Sequence, residues 1–282
     1  MTLFRTVPWN KPIQLKDGME AEFYRAGHTL GASLINLRHG GASVTFSGDL
    51  GRQADPLFPP PDAMPDSDYL VVESTYGGRK HADVDPGARM GEIISKAYRN
   101  QGVVLIPSFA VGRTQSLLYK LWELREEGML PDIPIFVDSP MAPNVTGLHS
   151  EHSHAHSLGG ALADKVFAIA NYVRDSDESR LLSGFQAEGT RGASLAAGAD
   201  RLKIPGDSIP VNAGIETLGN FSAHADAAVI LRWMETAGKA PKRVFITHGE
   251  PVASDALRTT VEETLGWKCV VPEYLSTNEL ED

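Results

Sequence analysis

Cysteine is almost missing from this chain: Cys269 stands alone among 282 residues. That excludes an intrachain disulfide framework and fits a reducing compartment, of which the cytoplasm is the simplest. An excess of positive charge is also missing. Lys and Arg number 26 against 36 Asp and Glu, a net charge of −10, so bulk charge repels nucleic acid. A polyanionic substrate would need a local basic groove or metal ions. Long apolar runs are the third absence. The longest, near Val103 to Val111, is far too short to span a bilayer, and Met1-Thr2-Leu3-Phe4-Arg5 carries no apolar leader core, so a soluble protein without a membrane partner is expected. At 42% hydrophobic, the chain can bury the core of one large domain or two ordinary ones.

From Met19 to Gly48, apolar runs containing Ala21, Phe23, Leu34, Leu37, Val44 and Phe46 are broken by Gly31 and Gly40-Gly41, which predicts a hairpin-rich sheet. Tyr69-Leu70-Val71-Val72 reads as a buried strand delivering Glu73. The pattern then alternates. Met90, Ile93, Ile94 and Tyr98 make a helical stripe, Val103 to Ile106 a strand, Leu117, Leu118, Leu121 and Leu124 a second stripe, and Ile135 to Val137 another strand. Such βαβ order implies a parallel sheet covered by helices. Ser150 to Gly160, rich in His and Ser, reads as a loop. A helix carrying Val166, Ile169, Ala170 and Val173 is expected next, then a Gly-punctuated segment and a strand from Pro210 to Thr217. Val229, Ile230, Trp233 and Met234 predict a helix, Val244 to Ile246 a strand ending at His248, and Leu257, Val261 and Leu265 a closing helix. Residues 1–74 and 209–282 are expected to form one domain around an insertion at 75–208, because metal-type motifs fall on both sides of it.

Five short motifs carry the chemistry. His28 lies in the Gly-flanked turn Ala26-Gly27-His28, Asp49 follows a strand in Ser47-Gly48-Asp49, and His248 follows another in Thr247-His248-Gly249-Glu250. Imidazole and carboxylate suit zinc or manganese, and one carboxylate can bridge two ions. Taken singly, each is as readily a turn or capping residue; together they favour a metal site. His224, in Ser222-Ala223-His224-Ala225-Asp226, precedes a helical stripe that Ser222 or Asp226 could cap. A His there suits a general acid protonating a leaving alkoxide, with Glu73 of Glu73-Ser74-Thr75-Tyr76-Gly77 orienting it; the alternative is an ordinary capped helix with an exposed His. Two segments suggest anion seats: Gly184 to Gly192, including Gly189, Thr190 and Arg191, with Arg201 and Lys203 nearby in sequence, and Ile106 to Arg113, including Ser108 and Arg113, where a strand gives way to a helix. Each is equally compatible with a plain turn. His149, His152, His154 and His156 read as solvated loop residues.

In this order, the motifs resemble the β-CASP branch of the metallo-β-lactamase-fold nucleases, RNA-processing hydrolases that include bacterial and archaeal relatives of the mRNA 3′-end cleavage factor. The likeness covers nearly the whole chain. Ala26-Gly27-His28 and Ser47-Gly48-Asp49 match the family's third and fourth metal motifs, Glu73 its motif A, His224 its motif B and His248 its motif C. Ile106 to Gln115, Val137 to Ala142 and Gly184 to Gly192 look like signatures of the inserted domain. The resemblance implies an α/β protein: a partial metallo-β-lactamase αββα sandwich (1–74 and 209–282) with an inserted, shortened β-CASP α/β domain (75–208). It also implies two Zn2+ ions, with Mn2+ possible, His28 holding one, Asp49 bridging and His248 holding the second. His224, supported by Glu73, would act near the scissile phosphate of single-stranded RNA, attacked in line by a metal-activated water. Ser108, Arg113, Gly189, Thr190 and Arg191 would face the substrate.

Two departures shape the expectation for activity. No His-x-His-x-Asp-His run occurs in these 282 residues, and after Glu178-Ser179-Arg180-Leu181 the sequence passes almost directly to Ser183-Gly184-Phe185, omitting a strand and helix of the pattern. The His152 to His156 cluster is no substitute, having His and then Ser157 where Asp and His are needed. Because a lone catalytic zinc already takes three protein ligands and water, an N-terminally truncated chain with weak metal binding and little turnover is expected. An apolar sheet face or edge would then need a homodimer partner or a homologous catalytic subunit. The alternatives are an inactive pseudo-nuclease that binds RNA or a partner, and a small-molecule metallohydrolase of the same fold.

Overall fold

A computed structural model describes residues 5–81, 86–173, 191–204, 207–211, 213–218 and 221–280. The chain divides into two compact units. The first comprises Met1–His81, Ala155–Ser157 and Ala223–Asp282; the second comprises Ala82–His154 and Leu158–Ser222.

The first unit begins with β1 (Ile13–Gln14), β2 (Glu20–Arg25), β3 (Ser33–His39), β4 (Ala42–Phe46) and β5 (Tyr69–Glu73). Gly40 and Gly41 between β3 and β4 both take positive φ, 59° and 88°. A two-residue turn of this hand matches the twist of a hairpin, and it pairs His39 with Ala42. Four of the five residues of β5 are buried, as a strand covered on both faces requires.

The second unit contains α1 (Pro86–Arg99), α2 (Arg113–Glu126), β6 (Ile135–Asp138), α3 (Ala142–Glu151), α4 (Gly160–Phe167), β7 (Ala170–Val173), α5 (Arg191–Ala196), β8 (Arg201–Ile204) and β9 (Asp207–Pro210). The apolar stripes of α1 and α2 meet, burying Met90 and Ile94 against Leu117, Leu121 and Leu124. Gln115 of α2, fully buried, donates through Nε2 to the Thr146 hydroxyl of α3 at 3.0 Å and to the Ala110 carbonyl at 3.2 Å, which ties α2 to α3. β6 and β7 pair in parallel, and β8 and β9 antiparallel.

The chain then returns to the first unit with α6 (Ala227–Met234), β10 (Arg243–Thr247), α7 (Pro251–Leu265) and β11 (Cys269–Val270). One seven-stranded sheet results, ordered β1-β2-β3-β4-β5-β10-β11. It is antiparallel from β1 to β4 and parallel from β4 to β11. Ile230, Trp233 and Met234 of α6 and Leu257 and Val261 of α7 join Leu70, Val72, Val244 and Ile246 of the parallel strands in one core. Each such fully buried side chain contributes about 1.5–3 kcal/mol. Gly266, left-handed at φ 68°, ends α7, a conformation that glycine adopts without a Cβ penalty. Among the described residues no helix is long and apolar enough to cross a membrane.

Four expectations are corrected. Val103 to Ile106 forms no strand, and Val103 and Leu105 are 84% and 67% exposed. An apolar run becomes a strand only where a ladder partner exists, and among the described residues β6 pairs with β7 alone. The stripe from Val166 to Val173 is two elements: α4 ends at Phe167, whose carbonyl accepts from the Tyr172 hydroxyl at 3.0 Å, and Ala170–Val173 pairs with β6. The strand expected from Pro210 to Thr217 instead ends at Pro210. The His-rich stretch is not one solvated loop. His149 is buried on α3, its Nδ1 donating to the Val145 carbonyl at 2.9 Å and its ring edge-on to Phe167, and His156 is buried as well.

Candidate active site

Three of the motifs follow the C-terminal ends of neighbouring parallel strands. β4 pairs with β5 through Phe46 and Val71, and β5 with β10 through Glu73 and Thr247, so Asp49, Glu73 and His248 leave the sheet on one side. Loops at such strand ends form the crevice of an open α/β sheet. The His28 loop is drawn to them by backbone contact. Gly51 N–H donates to the Ala26 carbonyl at 2.8 Å, and a Cβ on Gly51 would lie 1.9 Å from the Gly27 carbonyl oxygen. Gly27 itself has φ 70° and no room for a side chain, since a Cβ would meet the Pro59 carbonyl at 2.7 Å. The glycines beside His28 and Asp49 are therefore what lets the two loops touch.

Asp49 lies between two histidines. Its Oδ2 is 3.8 Å from His28 Nε2 and its Oδ1 is 3.3 Å from His248 Nδ1. Ligand atoms of His28, Asp49 and His224 all lie within 4.8 Å of one another, as do those of Asp49, Glu73 and His248. The two triads share Asp49. Imidazole nitrogens and carboxylate oxygens at this spacing fit a divalent transition ion. His248 has left-handed backbone, φ 57°, which is costly for a residue with a Cβ. It is held there by the Thr75 hydroxyl, donating to its carbonyl at 3.1 Å.

His224 is gripped by its ring. Its Nδ1 lies 3.0 and 3.1 Å from the two carboxylate oxygens of Glu73. Because a carboxylate only accepts, Nδ1 carries the proton and Nε2 is left toward the site. Glu73 is almost fully buried, and its Oε1 also accepts from Leu50 N–H at 2.6 Å. Burial alone would raise the Glu73 carboxyl; the His224 bond and charge, with the Thr75 and Leu50 donors, outweigh it and hold the carboxyl below its ordinary value. Burial pushes His28 down, the neighbouring His224 adds to this, and Asp49 and Glu73 oppose it. The His28 and His224 rings are 4.4 Å apart between centroids. Asp226 caps α6, its Oδ1 accepting from Val229 N–H at 2.9 Å.

The first unit thus brings together His28, Asp49, Glu73, His224 and His248. Ser108 and Arg113 belong to the second unit. There the Ser108 hydroxyl bonds that of Thr114 at 2.9 Å, and Arg113 opens α2 after Gly112, at φ 74°. Gly189 and Thr190 lie outside the described residues, and of Arg191 only the backbone, opening α5, is described. Arg201 is engaged locally, its Nε donating to the Ser208 hydroxyl at 3.0 Å. Two members of the site escaped the sequence reading. The Leu50 amide has no signature in sequence. His81, whose Nε2 is 3.0 Å from the His224 carbonyl, offered only a histidine a few residues past a Gly-Gly turn.

Two family profiles match the chain: "Beta-Casp domain" over residues 114–180 and "Zn-dependent metallo-hydrolase RNA specificity domain" over residues 208–272. Among similar proteins, Ribonuclease TTHA0252 of Thermus thermophilus is 30% identical over 81% of this chain and 62% of its own length. An RNase J-like protein of Methanocaldococcus jannaschii is 26% identical over 92% of this chain and 70% of its own. The transcription termination factor FttA of Pyrococcus abyssi is 26% identical over 98% of this chain and 51% of its own. The chain therefore spans roughly half to two thirds of the length of these relatives.

Proposed function

This chain belongs to the β-CASP family of metallo-β-lactamase-fold RNA nucleases, and we propose that it is a metal-dependent phosphodiester hydrolase built for single-stranded RNA. The observation that carries the reading is Asp49, with one oxygen toward His28 and the other toward His248, beside the Glu73–His224 pair. Residues 1–74 and 209–282 are the metallo-β-lactamase part and 75–208 the β-CASP insertion. His28, Asp49 and His248 would hold Zn2+, or Mn2+, with Asp49 shared. Bound there, such ions supply Lewis-acid stabilisation of charge at phosphorus and make water acidic.

The remaining chemistry belongs to the chain. Glu73 fixes the His224 tautomer by accepting from Nδ1–H and leaves Nε2 facing the site, where, once protonated, it can give its proton to the leaving oxygen. Ser108, Arg113, Gly189, Thr190 and Arg191 would hold phosphates, the guanidinium groups in bidentate fashion. The cytoplasm is the compartment we assign. Cleavage of single-stranded RNA with zinc or manganese, lost in His224→Ala and His248→Ala proteins of unchanged circular dichroism, is the expected result. No cleavage with any divalent ion sinks it.

A second reading rests on the ligand count. His28, Asp49 and His248 by themselves do not fill two coordination spheres, and a site limited to them would hold metal weakly and cleave poorly. In that case it holds RNA, or pairs with a second copy or a homologous catalytic subunit. Salt-sensitive RNA binding without cleavage selects that reading.

A further inference from the structure

Apart from Ala155–Ser157, the chain leaves the first unit at His81 and returns to it at Ala223, and these two passages are fastened to each other inside that unit. His81 N–H donates to Asp226 Oδ2 at 2.8 Å, and its Nε2 is 3.0 Å from the His224 carbonyl oxygen. Ala227 N–H donates to the Arg79 carbonyl at 3.4 Å. A carbonyl only accepts, so His81 Nε2 carries a proton. Burial, with Arg52 nearby, keeps the His81 ring neutral more readily than usual, against the pull of the His224 carbonyl and Asp226. The ring also packs against Tyr76, 5.1 Å between centroids, and Tyr76 in turn lies 6.1 Å from the His224 ring.

His224 is therefore held from several sides. Glu73 accepts from its ring Nδ1–H, its carbonyl accepts from His81 Nε2–H, and its backbone bridges to Gly51, with the Ala225 N–H donating to the Leu50 carbonyl at 2.8 Å. Glu73 sets which nitrogen faces the site. What remains is the position of the Cα, and the peptide that follows it is gripped on both sides, its N–H by the Leu50 carbonyl and its carbonyl by His81.

We propose that His81 is a positioning residue for His224, its Nε2–H fixing the His224 peptide so that the imidazole stays seated on Glu73. The consequence for turnover rests on the reading of His224 as the proton donor; the geometric part does not. Two substitutions separate the donor from the ring. His81→Phe keeps the packing on Tyr76 and removes the N–H, whereas His81→Gln supplies an amide N–H at similar reach and loses the ring.

The primary readout, on the full chain, is the proton NMR signal of His224 Hδ1, which a buried bond to a carboxylate holds downfield and slow to exchange. Steady-state RNA cleavage is the second. We expect His81→Phe to lose the signal and His81→Gln to retain it. Where the wild-type cleaves RNA, kcat should fall about ten- to a hundredfold in the Phe protein at little-changed KM, as displacement of one reacting group by a fraction of an ångström does, and recover in the Gln protein. Should the Phe protein not fold, His81→Asn, whose amide is too short to reach, replaces it. A folded Phe or Asn protein with the wild-type Hδ1 signal overturns the proposal, as does a Gln protein that loses it. Absence of cleavage in the wild-type counts against the nuclease reading and leaves the NMR test of His81 intact.

Discussion

The two units make opposite use of apolar strand sequence. In the first, Tyr69 to Val72 and Val244 to Ile246 lie side by side in a seven-stranded sheet, and Leu70, Val72, Val244 and Ile246 have no exposed surface. In the second, Val103 to Ile106 is at least as apolar yet forms no strand, and Phe136 of β6 is 64% exposed. Apolar content proposes a strand, and a ladder neighbour together with a covering layer decides it. The chemistry follows the same division: every member of the histidine and carboxylate cluster is carried by the unit whose strands are paired and covered.

The sharpest way to break this comparison is at the backbone contact under the site. Gly51→Val would force the His28 and Asp49 loops apart, and denaturant unfolding should show a loss of more than about 3 kcal/mol. A near-neutral result means the loops are not in contact.

A smaller effect is expected where the Glu73 and His248 loops are sewn together. The Ser74 hydroxyl donates to the Thr247 carbonyl at 2.8 Å and meets the Ser254 hydroxyl at the same distance, so Ser254 is the donor of the second bond. Ser74→Ala should cost about 1–3 kcal/mol. The Ser74→Ala, Ser254→Ala double mutant should cost less than the sum of the two singles, because both lose one shared bond. Additive singles contradict the network.

The first unit should also be acid-sensitive in chelator. His28 and His81 both lie below their ordinary 6.5 in the fold, chiefly through burial. Above 6.5 neither state binds the proton; below it the unfolded chain takes up protons that the folded chain resists, so stability falls as pH falls. Glu73, held below its ordinary 4.5, contributes stability above that value and loses it as pH drops through the folded value. A flat unfolding profile between pH 7 and 5 would contradict the burial of both imidazoles.

The smallest effect belongs to the second unit and has the other sign. Gly147 sits inside α3 with nothing within 4 Å of a Cβ. Gly147→Ala should stabilise by about 0.5–1 kcal/mol in thermal unfolding, and a loss instead would mean the helix is crowded there.

The sequence made the first unit legible because its signals are local. A Gly-Gly turn sets the β3–β4 hairpin, and apolar runs end at Glu73 and at His248. The helical stripe of α6 is complete to the residue, that of α7 holds at Leu257 and Val261 with Leu265 partly buried, and Asp226 caps as its type suggests. His28, Asp49, Glu73 and His248 are visible beside glycine or serine at strand ends, and His224 two residues before the cap of α6. What stayed hidden was non-local. The Leu50 amide serves Glu73 from 23 residues away, and His81 serves a carbonyl 143 residues on, with no pattern linking either pair. In the second unit the misreadings share one cause. Period and composition do not show where α4 gives way to β7, that His149 turns inward, or that Val103 to Ile106 lacks a partner strand.

The most direct test of the central claim is metal bound per chain after zinc or manganese loading, by equilibrium dialysis with elemental analysis. Folded wild-type, Asp49→Ala, His28→Ala and His248→Ala proteins should be compared. If Asp49 is shared between the two histidines, Asp49→Ala removes all site-bound metal, whereas each histidine variant removes only part. Wild-type metal retained by Asp49→Ala, or no specific metal on the wild-type chain, would contradict the account.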